Sequence, residues 1–167
     1  MVGSNWGASP SEREMPMACD RLHVHARVRL HRAISVNAPA LVVFRWLCQL
    51  KASPYSYDLI DNLGRRSPHE LTDGLEQLQV GQRFMRIFSL ACFAPDEHIT
   101  LRSHRTAVTY AVLAGEGPTR LVARVLFDPP GGSFTAPITG QALALADLVM
   151  MRKQLLTLKH LAEADVP

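Results

Sequence analysis

The sequence predicts an α+β domain in which one long C-terminal helix lies across an antiparallel sheet, and two observations carry this. First, Thr139 to Glu163 is free of Gly and Pro after Gly140 and rich in Ala, Leu, Met, Lys and Gln, the strong helix formers. Second, the stretch from Arg83 to Phe127 reads as successive strand-like runs whose hairpin-length connections imply antiparallel pairing. A twisted sheet of this kind has an apolar face to cover, and the helix can cover it.

Each element has its own signal. Residues 1 to about 20 carry acids and no apolar h-region, so they are expected to be a flexible leader rather than a secretory signal, with Met15 or Met17 as alternative starts. Arg21 to Val36 alternates: Leu22, Val24, Ala26, Val28 and Leu30 against His23, His25, Arg27, Arg29 and His31. This is a strand with one face to the core and one to water. Asn37-Ala-Pro39 caps an amphipathic helix from Ala40 to Lys51, whose apolar set includes Leu41, Phe44, Leu47 and Cys48. Ser53-Pro54 ends it. A short aromatic segment from Tyr55 to Asn62 follows, closed by Gly64, and residues 65 to 79 are polar and turn-rich. Strands are then expected over Arg83–Phe93, Glu97–His104, Thr106–Gly115 and Thr119–Phe127, so the whole sheet counts about five or six strands. In the last helix Thr139 is the expected N-cap, and Ala144, Leu148, Met151, Leu155, Leu158 and Ala162 share one stripe. Such a helix runs about 36 Å.

Composition narrows the function classes. The chain has 167 residues, 47% hydrophobic and 20% charged, which suits one globular core over residues 21–167. A net charge of +3 is too small to argue for nucleic acid or anionic lipid. Three widely spaced cysteines, Cys19, Cys48 and Cys92, suit neither a disulfide framework nor a CxxC metal site, and point to a reducing, cytoplasmic setting. No run is long and apolar enough to span a membrane, the last helix being interrupted by Asp147. Phosphate loops, GxSxG and HExxH are absent.

Three stretches resemble the START-like, or SRPBCC, superfamily. They are Asn37-Ala-Pro39 with the helix carrying Phe44, Trp46 and Leu47; Pro54-Tyr-Ser-Tyr57-Asp58-Leu-Ile-Asp61-Asn62 with Ser67 and Leu78-Gln-Val-Gly81; and Met150 to Glu163. The resemblance covers about residues 21 to 164. It implies a helix-grip fold, a curved antiparallel sheet wrapped around the C-terminal helix with two short helical segments after the first strand and a hydrophobic cavity between sheet and helix. Lipid-transfer domains, polyketide cyclases and aromatases belong to that superfamily.

In such a fold Trp46, Tyr55, Tyr57, Phe84, Phe88, Tyr110, Leu148, Met150 and Met151 are the expected ligand-binding side chains, since aromatic and thioether groups line adaptable apolar cavities and equally fill solid cores. Tyr hydroxyls can orient a ligand, and Asp58 or Asp61 can act as a base if burial raises its pKa; the alternative is packing tyrosines and solvated acids. The basic residues Arg21 to His31 read as a solvated strand face or a patch for acidic headgroups, and His23 with His25 lacks the third ligand a metal needs. Arg86, Arg102, His104 and Arg124 either face water or, turned inward, pair with a ligand carboxylate. Cys48 and Cys92 sit in apolar stretches and suit inert thiols. The expected function is binding of a lipid-like or aromatic, polyketide-like molecule, without a cofactor, metal or nucleic acid and without membrane insertion, as a monomer or dimer. A cyclase- or aromatase-type enzyme and a filled-core interaction module are the alternatives.

Overall fold

The computed structural model describes residues 1–56, 67–132 and 134–166. In chain order the elements are β1 (Asn5–Trp6), α1 (Pro10–Glu14), α2 (Ala18–Leu22), β2 (Val28–Val36), α3 (Ala40–Cys48) with a 3-10 turn (Gln49–Lys51), β3 (Arg83–Phe84), β4 (Phe88–Ala94), β5 (His98–Arg102), β6 (Thr106–Leu113), β7 (Thr119–Phe127) and α4 (Ala136–Ala164). One sheet of seven strands has the order β1-β2-β7-β6-β5-β4-β3. Only β1 and β2 pair in parallel; the other neighbours are antiparallel, with Val28 to Val36 running opposite Phe127 to Thr119. The expected α+β architecture is the one observed. Among the described residues the expected five or six strands are seven, because two-residue pieces at either edge carry too little pattern to read.

α4 covers the inner face. Ala144, Met151, Leu155, Leu158 and Ala162 meet Val28, Leu30, Val108, Tyr110, Leu121, Ala123 and Val125 in the main core. The helix begins at Ala136, with Thr135 rather than Thr139 in the cap position and a proline at its start. The Thr139 hydroxyl donates to the Pro130 carbonyl at 2.8 Å instead. Its far end is fastened to the β2–α3 connection, where Lys159 donates to the Ser35 carbonyl at 2.7 Å and Glu163 accepts from the Asn37 amide at 2.7 Å.

The outer face is also covered, which corrects the expectation of a flexible leader. Ala8, Met17 and Cys19 pack on Ala33, Ala107, Ala111, Val122 and Leu126 as a second apolar layer. Ser9 caps α1 in a reciprocal capping box with Glu12. Two arginines of β7 tie this N-terminal strap down. Arg120 donates to both carboxylate oxygens of Glu12, at 2.7 and 2.9 Å, and to the Gly7 carbonyl at 2.9 Å. Arg124, 1% exposed, donates to Asp20 and to the carbonyls of Glu12 and Arg13. Gly7 has a φ of +77°, and a Cβ there would run into the Ala33 carbonyl oxygen, so the strap's close approach needs glycine.

The first strand is correspondingly shorter than the alternation suggested. Arg21 and Leu22 close α2, and His23 leaves the strand register to meet Asp128 at 3.0 Å, so it does not pair with His25. His31 lies buried under the strap, where desolvation and the nearby Arg124 hold its pKa down at about 4. The basic residues of this stretch therefore do not form one solvated face. The second helical segment expected, Tyr55 to Asn62, lies outside the described residues apart from Tyr55 and Ser56.

Candidate functional site

Between the inner face of the sheet and α4 is a cavity of about 430 Å³. Strand alternation brings Thr106, Val108 and Tyr110 of β6 and Val125 and Phe127 of β7 to its wall. Helical spacing brings Leu143, Ala146, Asp147, Met150, Met151 and Gln154 of α4 to the opposite wall. Pro54, Ser56, Phe88 and the β3–β4 turn, Met85 to Ile87, complete it. The rim is open to water, since Arg86, Ile87, Leu143 and Met150 are exposed. Met85 and Arg86 both hold positive φ, +44° and +66°, a conformation that costs a non-glycine residue about 1–3 kcal/mol.

The polar groups on this wall are held from behind. Arg32, with a side chain 0% exposed, points from β2 toward α4 and donates to the Asp147 carboxylate at 2.9 Å. It also donates to the carbonyls of His31 and Ala144. Burial drives the Asp147 pKa up to about 6, with the Arg32 guanidinium pulling the other way. Deeper in, the Tyr110 hydroxyl donates to Gln154 Oε1 at 2.7 Å, and Gln154 Nε2 donates to the Pro54 carbonyl at 2.6 Å. Burial pushes the Tyr110 phenol well above its usual range, so it stays protonated.

One pH effect follows from Asp147. An unfolded aspartate titrates near 3.8 and the folded one near 6, so the native state holds this proton longer as pH rises. The stability this group contributes is complete below the unfolded value and is lost as pH climbs from about 4 to about 6. Urea midpoints across that window should fall in the wild type relative to Asp147→Asn; parallel curves would refute the assignment.

Of the nine side chains expected to bind ligand, Phe88, Tyr110, Met150 and Met151 stand on the cavity wall. Trp46, Tyr55 and Phe84 do not, because α3 packs them into the solid core, Trp46 edge-on to Tyr55 with ring centroids 6.1 Å apart. Leu148 also misses the cavity. It turns toward the N-terminal residues, where its methyl lies beside Gly3. Tyr57, Asp58 and Asp61 lie outside the described residues. Arg124 faces the strap rather than the cavity, Arg102 and His104 are exposed, and only Arg86 reaches the rim. Cys48 is buried and its pKa is pushed up to about 12 by desolvation, which keeps it a thiol. Sequence reasoning missed Arg32 and Gln154 altogether, and did not place Asp147 in the site. Among the described residues no three His, Cys, Asp or Glu side chains gather as a metal site would, and no helix is long and apolar enough to cross a membrane.

Known solved structures resemble this chain in fold. Protein NE0264 from Nitrosomonas europaea matches with TM-score 0.53 at 10% identity, over 90% of this chain and 99% of that one. Protein MLL2253 from Mesorhizobium loti matches with TM-score 0.55 at 12% identity, over 83% of this chain and 99% of that one. The fold is a helix-grip fold. The solution structure of a polyketide_cyc-like protein, Cgl2372 from Corynebacterium glutamicum, aligns with TM-score 0.49 at 16% identity, over 83% of this chain and 93% of that one. No protein-family model and no curated protein matches the sequence. In this helix-grip chain the strap over the outer face and the Arg32–Asp147 pair on the inner one are read from its own residues, since likeness at such identities speaks to fold alone.

Proposed function

We propose that this protein binds a hydrophobic small molecule, lipid-like or aromatic and polyketide-like, in the cavity between sheet and α4. The observation that supports this most directly is the cavity itself: about 430 Å³, within the range of small-molecule sites, walled largely by Val108, Val125, Phe127, Phe88, Met150 and Met151. Binding would draw on apolar burial, at about 25 cal/mol per Å² before ordering costs. A second reading, a cyclase- or aromatase-type enzyme, is favoured by one feature. Asp147 and Tyr110 share the cavity, and a carboxyl with a pKa of about 6 suits proton transfer near neutral pH. It differs from the first in requiring that a bound polyketide-like chain be released altered.

The binding reading is tested with N-phenyl-1-naphthylamine, a neutral fluorescent hydrophobe, together with native mass spectrometry for co-purifying molecules. Ala146 is exposed at the rim and points into the cavity, so Ala146→Trp should weaken the probe at least about tenfold while the protein stays folded. Val149→Trp, on the exposed outer side of α4, should leave it unchanged. Wild-type affinity in Ala146→Trp would sink the proposal.

A further inference from the structure

Three polar side chains of the cavity wall, Tyr110, Gln154 and Asp147, offer acceptors and no uncommitted donor. Tyr110 spends its one O–H on Gln154 Oε1. Gln154 directs Nε2 to the Pro54 carbonyl and to Met85 Sδ, so its amide protons are committed within the wall. Arg32 is wholly buried, and holds Asp147 through Oδ2 alone. What these three wall groups keep is acceptor capacity: Asp147 Oδ1, which takes no hydrogen bond among the described residues, and lone pairs on the Tyr110 oxygen and Gln154 Oε1. Asp147 is the one carboxylate among the described residues lining the cavity.

From this imbalance we infer that the ligand is a neutral hydrophobe carrying a hydroxyl, alcoholic or phenolic, which donates to Asp147, with room for a second donor at the Tyr110–Gln154 end. Asp147 and Gln154 are seven positions apart on one helix, so the two acceptor points are about 10 Å apart along its axis. A fatty-acid or aromatic carboxylate is disfavoured inside, because it would bring a second negative charge to Asp147 and find no spare donor among these three groups. An ammonium is disfavoured too, because Arg32 stands 2.9 Å from the same carboxylate and repels another cation. Thr106 can either donate or accept. Arg86 is exposed at the rim, so an anion there would pair in water, where such contacts are screened.

This inference rests on the cavity-binding reading and sharpens it. The test is competition against bound N-phenyl-1-naphthylamine, at neutral pH, by three molecules on one ring system: 2-naphthol, 2-methoxynaphthalene and 2-naphthoate. The naphthol should displace the probe at least about tenfold more tightly than either of the others, since only it brings a donor and no charge. In Asp147→Asn the gap between naphthol and its methyl ether should narrow to less than about threefold, because the amide can itself donate to the ether oxygen. Where that variant does not fold, Arg32→Met/Asp147→Leu removes both charges together and should narrow the gap in the same way. Equal binding of all three in the wild type, or a preference for the naphthoate, overturns the donor inference while the cavity reading stands. If neither the probe nor any naphthalene binds, the cavity reading fails and this inference with it.

Discussion

Deleting residues 1–22 is expected to lower the melting temperature on the order of 10–20 °C and to make the protein self-associate. The segment buries Met17 and Cys19 fully and Trp6 in part, and each such side chain contributes about 1.5–3 kcal/mol. Together they approach about 5 kcal/mol, the lower bound of a whole domain's stability. Its removal also bares a contiguous apolar surface of Ala33, Ala107, Ala111, Val122 and Leu126, the kind of patch through which soluble proteins associate. At the same time it frees the long β2 edge that β1 now covers. Differential scanning calorimetry and size-exclusion chromatography of the truncated chain measure both effects. A transition within about 3 °C of full length, on a monomer of unchanged behaviour, would show that the strap is an accessory to the fold.

That strap marks the limit of what the sequence made legible. α4 was readable because its stripe is long and regular, and β6 and β7 because Gly115 to Pro118 separates two clear runs. The cover over the outer face left a signal too, though a weaker one. β7 reads Leu121-Val-Ala, Arg124, Val125-Leu-Phe127, an almost continuous apolar run, and only a strand buried on both sides lacks alternation. An arginine inside such a run must find acids nearby. Glu12 and Asp20 were available, but they belong to five-residue helices too short to show periodicity. The cavity wall divides in the same way. Met150 and Met151 follow from helical spacing once the helix is placed, whereas the exclusion of Trp46 and Phe84 depends on how α3 and the β3–β4 turn pack. No residue pattern reports that packing. Arg32 stands in register with Val28 and Leu30 on the inner face, but a charged residue at a core-facing position breaks the apolar alternation by which such a position is recognised.

The Arg32–Asp147 pair is where the second large effect is expected. Arg32→Met alone should cost about 3–5 kcal/mol, because it leaves a mostly buried carboxylate, 20% exposed, without its cation. Arg32→Met/Asp147→Leu should recover most of that loss, coming within about 1 kcal/mol of the wild type or exceeding it. The reason is the cost of taking two charges out of water: desolvation lowers the Arg32 pKa and raises that of Asp147, so burial outweighs the mutual attraction in both partners. Urea unfolding of the two single variants and the double variant closes the cycle, and a double variant as unstable as Arg32→Met would mean that the pair secures the packing of α4 on β2. Recovery would mean the reverse. Main-core side chains such as Leu30 and Leu155 already join sheet to helix, and an apolar substitute could do the same at Arg32. What no apolar residue can supply is the hydrogen-bond acceptor that Asp147, held by Arg32, brings to the cavity wall. Recovery in the double variant would leave the acceptor at the cavity wall, the basis of the proposed ligand contact, as what the pair contributes.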